Sequence, residues 1–313
     1  MLQLGHFKVS NTKAAEKQNM GEHELTKEEQ IAYKHEQDLE RLRAFRLMDD
    51  DFMTACFDGS PESVELVLRI ILNKPDLCVL DVKVQYFIKN LLKRSVSLDV
   101  LATDTDGRKY NIEIQRSDKG AGAKRARYNS STIDAKSMEK STEFDELPES
   151  FVIFVTENDV LGEGKPLYHI DRMVLESGHL FGDEAHIIYV NGTYRGDDPL
   201  GQLMRDFHCT EPEQMYYNVL KDRVSYFKKT KEGEAIMCRA IEEMRNQERE
   251  EGRLEGRLEG RLEGKIEGKT ETMISLVRDG LLAVTEAAKR MQLSESEFQT
   301  LMEQHLVSAP MNK

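Results

Sequence analysis

Residues 95–118, SVSLDVLATDTDGRKYNIEIQRSD, hold two β-patterned runs, 96–103 and 108–116, on either side of a tight turn. A three-residue loop, Thr105-Asp106-Gly107, puts glycine at the left-handed position such loops require. Asp104 then faces Arg108, and the numbers of paired residues sum to 212, which sets Asp99 opposite Glu113. Alternation places Asp99, Leu101, Asn111, Glu113 and Gln115 on one face of the ladder, and Leu98, Val100, Ala102, Tyr110, Ile112 and Ile114 on the other. The second set suits a core. A two-residue turn at Asp106-Gly107 would shift the register by one and send the two acids to opposite faces. The loop type decides between them.

Side chains directly opposed in an antiparallel pair have Cβ atoms about 4.5–5.5 Å apart. Two carboxylates that close repel unless a cation or a shared proton lies between them. Hard divalent cations such as Mg²⁺ take oxygen ligands and are held by one or two carboxylates together with water and phosphate oxygens. The plainer account is a wet sheet face, since exposed acids are common. Two observations weigh against it. Like charges directly across a ladder are destabilising. The acids also sit beside a basic segment: between Arg108 and Arg127 there are seven Lys/Arg against two acids, in a chain whose net charge is −13. Such a patch tracks a phosphate backbone, or is simply a solvated basic face.

Net acidity excludes a protein that coats nucleic acid by bulk attraction. The four cysteines, Cys56, Cys78, Cys209 and Cys238, have no CxxC spacing, which fits free thiols in a reducing compartment. Neither a signal-peptide pattern nor an apolar run of membrane-spanning length is present, so a soluble cytoplasmic protein without a membrane partner is expected. There is no Walker-type glycine loop, no GxSxG, and no HExxH or HxH spacing among the eight histidines.

Residues 1–39 are polar and without period and read as a mobile tail, with helical character toward TKEEQIAYKHEQDLERLRAF. Residues 40–230 read as one globular domain. Two helices flank Asp58-Gly59-Ser60-Pro61, the second opening with proline in its first turn. VLDVKVQYFIK (79–89) reads as a strand, the hairpin follows, and GAGAKRARYNSSTIDAKSM leads into a basic helix. FVIFVTEND (151–159) and HIIYVNGTY (186–194) are apolar runs that suit strands covered on both faces. Leu200 to Lys229 reads as helical throughout. Strands interleaved with helices indicate a mixed α/β sheet.

Residues 231–272 form a helical extension in which EGRLEGRLEGRLEGKIEGK (251–269) repeats a four-residue unit. Its Leu254, Leu258, Leu262 and Ile266 drift around a 3.6-residue helix. Either a glycine-lined helix packs against a copy of itself, giving a homo-oligomer, or the stretch is a solvated spacer. Residues 273–313 read as a small module of two helices with a break near Gln292. Thr285 and Ser294 are candidate N-caps, and Glu297 completes a capping box with Ser294. The pair is similar in outline to a helix-turn-helix but lacks a basic recognition helix.

Asp99, then Glu113-Ile114-Gln115, then a basic helix with Lys124 and Tyr128 one turn apart, resembles the PD-(D/E)XK nuclease superfamily. More narrowly, FRLMDDDFMTACF, SVSLDVLATDTDG, YNIEIQRSD, KRARYNSS and GDEAHIIYVNG, in that order over about residues 40–245, resemble the PD-(D/E)XK nuclease-family transposases, relatives of the Rpn recombination-promoting nucleases. The resemblance implies a restriction-endonuclease-like mixed sheet flanked by helices, followed here by the helical extension. It implies Mg²⁺-dependent, or Mn²⁺-dependent, cleavage of DNA, linked to a mobile element or recombination. Asp99 and Glu113 would be the metal-binding acids, joined by the carbonyl of Ile114. Gln115 stands where the motif's lysine usually stands, as in other members of this branch. Lys124 would lend the missing charge, and Arg116, Lys124, Arg125, Arg127 and Tyr128 would meet DNA. Asp51 resembles the acid that begins the first motif, although Met53 replaces the lysine often found two residues later. The alternative is a nuclease fold that has lost catalysis and serves as a DNA-binding or oligomerising module.

Overall fold

The computed structural model describes residues 26–89, 95–116, 118–138, 141 and 143–307. The chain divides into two compact units, residues 1–239 and 240–313.

The first unit is built on a six-stranded sheet of β1 (Val79–Ile88), β2 (Val96–Asp104), β3 (Lys109–Gln115), β4 (Ser150–Thr156), β5 (Leu167–Ile170) and β6 (Ala185–Asn191), in spatial order β1-β2-β3-β4-β6-β5. β1, β2 and β3 form an antiparallel meander; β4 runs parallel to β3 and to β6, and β5 closes the far edge antiparallel to β6. The sheet is therefore mixed, as expected. β5, which the sequence reading lacks, is only four residues long and half polar, too short for a periodicity to show.

Among the described residues, six helices lie within this unit: α1 (Lys27–Ala44), α2 (Asp50–Phe57), α3 (Pro61–Leu72), α4 (Ala123–Ser137), α5 (Pro199–His208) and α6 (Asn218–Lys229). α1 starts within the stretch assigned to a polar tail. Thr26 and Glu29 form a reciprocal capping box there, and Asp38 and Leu42 are buried farther along. The single helix expected over 200–229 is two. Cys209 is extended, Pro212 opens a short 3₁₀ turn, and the buried Asp206 carboxylate accepts the amides of Tyr216 and Tyr217 at 2.8 and 2.9 Å. α4 covers one face of the sheet, where Ala126 and Ile133 join Val152, Phe154 and Tyr189 in a buried cluster. α2 and α3 pack on β1 and β2, with α5 and α6 behind them. β4 lies between these layers and is buried along its whole length, the pattern its unbroken apolar run predicts.

The hairpin has the three-residue loop. Val100 pairs with Ile112, Leu101 with Asn111, Ala102 with Tyr110 and Thr103 with Lys109. Asp104 secures the turn: its Oδ1 accepts the amides of Asp106 and Arg108, both at 2.9 Å, and its Oδ2 accepts the Tyr110 hydroxyl at 2.7 Å. Gly107 has φ +84°, the left-handed value the loop requires.

The second unit holds most of α7 (Lys231–Arg278), followed by α8 (Val284–Met291) and α9 (Glu295–Val307). Ile274, Ala287, Ala288 and Phe298 form its core. Ser294 and Glu297 make the expected capping box, and Gln292 takes the left-handed conformation at the break. Thr285 is not an N-cap, because α8 begins one residue earlier, at Val284.

A Cβ added at Gly107 meets nothing within 4 Å, so Gly107→Val tests backbone conformation alone. It should cost roughly 1–2 kcal/mol, and Gly107→Asn clearly less. All ten tyrosines precede residue 240 and the chain has no tryptophan. Urea unfolding followed by tyrosine fluorescence therefore reads the first unit, and equal stabilities for the three proteins would contradict this account of the turn.

Candidate active site

The regular ladder between β2 and β3 stops at Val100–Ile112, one pair short of Asp99 and Glu113. On the other side of β2, the pairing with β1 skips Gln85 and Asp99, and Gln85 has φ +45°. Asp99 thus sits where β2 loses regular partners on both sides. Its Oδ2 accepts the Ile114 amide at 2.9 Å, standing in for the main-chain carbonyl that a continued ladder would supply. The alternation expected for β2 also slips here. Val96 and Leu98 join Leu101, Ala126 and Ile133 in the cluster beneath α4, instead of sharing a face with Val100 and Ala102.

Within a strand, the N–H and C=O of one residue point to the same side. The Ile114 carbonyl is therefore directed toward β2, beside Asp99. Glu113 is fully buried on the α4 side. Its Oε2 accepts Arg125 Nη2 at 2.7 Å, whereas its Oε1 and the amide of the neighbouring Asn111 are buried with no partner at ordinary hydrogen-bond geometry, the Asn111 side chain and the Asp99 N–H only easing the charge of the carboxylate.

These carboxyl groups resist ionisation together. Burial first, then the charges of Glu113 and Asp50, push Asp99 up to about 8, against the pull of the Ile114 amide and Arg125. Burial also raises Glu113, opposed chiefly by Arg125. Asp50, at the start of α2, is raised by loss of solvent around its carboxylate and by the charge of Asp51. Three acids that disfavour one another's charge are what a cation relieves.

Asp50 of α2 acts electrostatically on Asp99 and Glu113, and Asp51 acts in turn on Asp50. Three consecutive aspartates, 49–51, mark the helix start in the sequence, but nothing local says which of them turns inward. Asp49 is engaged elsewhere: it accepts the Arg46 amide at 2.8 Å and pairs with Arg116 at 3.0 Å. Met53 is buried in the core.

The basic residues separate into distinct roles. Arg125 takes the place beside the acids expected for Lys124. Its Nη1 reaches Gln115 Oε1 at 3.3 Å and the Gly120 carbonyl at 3.1 Å, while Nη2 holds Glu113. Lys124 is exposed and lines, with Gly120, Arg125 and Tyr128, a cleft of about 710 Å³ alongside residues 95–97. Arg127 is exposed on α4. Arg116 is tied to Asp49 and, at 3.7 Å, to Glu157. Glu157 is also gripped by Arg46 through both oxygens, at 2.8 and 3.3 Å, and its amide donates to the Gln115 carbonyl at 3.0 Å. This network fastens the start of α2 to the ends of β3 and β4. Gly120 has a steric reason: a Cβ there would lie 1.7 Å from Gln115 Oε1. Its loop thus leaves space for the Gln115 amide.

Among the described residues, no group of three His, Cys, Asp or Glu side chains is placed to hold a metal. The donor set at the parted strands is of another kind: two carboxylates, one oxygen of which is buried and unpartnered, and a main-chain carbonyl. Those oxygens suit a hard divalent cation.

Residues 68–192 match the family model of the PD-(D/E)XK nuclease family transposase. This stretch runs from α3 to just beyond β6 and carries Asp99, Glu113, Gln115 and the basic helix. That part of the chain is similar to this nuclease family, and its mixed sheet with flanking helices is consistent with a restriction-endonuclease-like α/β fold. The match is narrower than the resemblance over 40–245 and leaves Asp50 outside it. No curated protein and no solved structure matches the chain.

A carboxyl group whose folded pKa is raised binds its proton more tightly in the folded state. Stability is then fully present below the unfolded pKa and falls as pH rises toward the folded one. In EDTA, Asp99 should therefore remove up to about 1.4 kcal/mol of stability per pH unit between about pH 4 and 8. Asp99→Asn should flatten this decline, leaving the variant more stable than wild type at pH 8. Thermal unfolding at pH 5 and pH 8 measures it, and parallel declines in the two proteins would refute the assignment.

Proposed function

We propose that this protein is a divalent-metal-dependent deoxyribonuclease that hydrolyses DNA phosphodiester bonds in the service of a mobile element or recombination. The observation that carries the reading is the buried, unpartnered Glu113 Oε1 beside Asp99, at the point where β2 and β3 part. Asp99, Glu113 and the Ile114 carbonyl would hold Mg²⁺ or Mn²⁺, with Asp50 supporting from α2. When bound, the ion would acidify a water molecule and neutralise charge on the scissile phosphate.

The protein's own groups account for the rest. Arg125, 41% exposed at its side chain, lowers the cost of charge on Glu113 in the absence of metal and can turn to a phosphate oxygen when the acid is occupied. It thereby supplies the positive charge that Gln115 lacks. The Gln115 amide, seated over Gly120, can donate to a phosphate oxygen or accept from water. Lys124, Arg127 and Tyr128 along α4 offer backbone contacts to DNA, and Arg116 serves first to brace α2. No described helix is long and apolar enough to cross a membrane, and the four free cysteines fit a cytoplasmic location. The C-terminal extension is proposed as a surface for self-association.

A second reading has a specific observation in its favour. Gln115 replaces a charged lysine and Arg125 already occupies Glu113, as in a fold retained only for DNA binding. Supercoiled plasmid with Mg²⁺ or Mn²⁺ against EDTA separates the two. Nicking should require metal and vanish in Asp99→Ala and Glu113→Ala, while Gln115→Ala should lose on the order of 10–100-fold. Plasmid binding without nicking in either metal would favour the binding reading, and nicking retained by Glu113→Ala would exclude the proposed site.

A further inference from the structure

α7 carries Leu254, Leu258, Leu262 and Ile266 at every fourth position, and they are 57, 59, 60 and 55% exposed. An arginine or lysine precedes each of them and a glutamate follows each. At about 100° per residue, the apolar row is thus flanked by a basic column on one side and an acidic column on the other. The glycines of the repeat occupy the remaining face, where an added Cβ would meet nothing within 4 Å.

This pattern is unsatisfied in a lone helix. Opposite charges within the repeat stand two residues apart, a spacing at which side chains do not face each other. Like charges stand four apart, a spacing at which they repel. Glycine at every fourth position weakens the helix further. Both the apolar row and the charge columns therefore call for a partner carrying the complementary columns.

We propose that the partner is a second copy of this chain, docked in parallel on the Leu254–Ile266 row. In a two-fold parallel pair, the left flank of one helix meets the right flank of the other, so each basic column faces an acidic one on both sides. An antiparallel pair would set arginine against arginine and glutamate against glutamate. Because the row repeats every four residues and not every 3.5, it winds around the helix. The two rows meet as crossing ridges over a short contact, without forming a long coiled coil. The inference is independent of the nuclease chemistry.

The test uses the full chain in size-exclusion chromatography with light scattering. Wild type should be dimeric, Leu258→Glu/Leu262→Glu monomeric, with unchanged helicity by circular dichroism. Arg257→Glu/Arg261→Glu should weaken the dimer, and adding Glu259→Arg/Glu263→Arg to the same chain should restore it. Leu254→Cys should form a 254–254 disulfide, identified by mass spectrometry, since an antiparallel pair would place the two positions at opposite ends of the contact. A wild-type monomer at every concentration would overturn the proposal. So would a dimer that survives the double glutamate variant, or one that never yields the 254–254 link.

Discussion

The register of one hairpin governs the site. Asp104 gathers the Asp106 and Arg108 amides and the Tyr110 hydroxyl around its carboxylate, and Gly107 supplies the left-handed residue that completes a three-residue loop. With that loop in place, the ladder runs to Val100–Ile112, and just beyond it the Asp99 carboxylate accepts the Ile114 amide next to Glu113. A loop one residue shorter would carry every β3 side chain to the other face, delivering Glu113 to the layer of α2 and α3 and an isoleucine to Arg125.

The same hairpin makes the site electrostatically unfavourable on its own. Glu113 is fully buried with one oxygen unpartnered, and Asp99 is raised by burial and by its acidic neighbours. The surroundings are closely packed and cross-linked: β4 is buried throughout, and the Arg46–Glu157–Arg116–Asp49 ion pairs join three elements. Strain of this kind is retained where a ligand relieves it. Arg125 is a partial substitute, neutralising one oxygen of Glu113 and leaving the other free.

Much of this was legible in the sequence because it rests on short-range rules. The β3 alternation, the Asp-Gly loop, Pro61 opening a helix and the Ser294–Glu297 box each depend on a few neighbouring residues, and the mixed sheet, β5 apart, follows from their order. The features that escaped depend on tertiary contacts. Asp50 of α2 acts on the charge of Asp99 and Glu113, an influence that depends on how α2 packs on β2 and that a run of three aspartates does not reveal. Arg125 rather than Lys124 reaches Glu113, a difference of about 100° around α4 that composition cannot resolve. The slip in β2 at Asp99 has no signature in SVSLDVLATD, since it reflects Gln85 of the neighbouring strand. The break near Pro212 was visible as a proline, but the helical spacing on either side of it masked the interruption.

The central claim is that Asp99 and Glu113 grip one hard cation between them. A crystal of the wild-type protein soaked in Mn²⁺, with anomalous diffraction collected at the manganese edge, tests it without reference to activity. The account predicts a single strong peak in contact with a carboxylate oxygen of Asp99, Oε1 of Glu113 and the Ile114 carbonyl, with Arg125 displaced from the acid. A Mn²⁺ peak elsewhere, or none while Arg125 stays on Glu113, would contradict it.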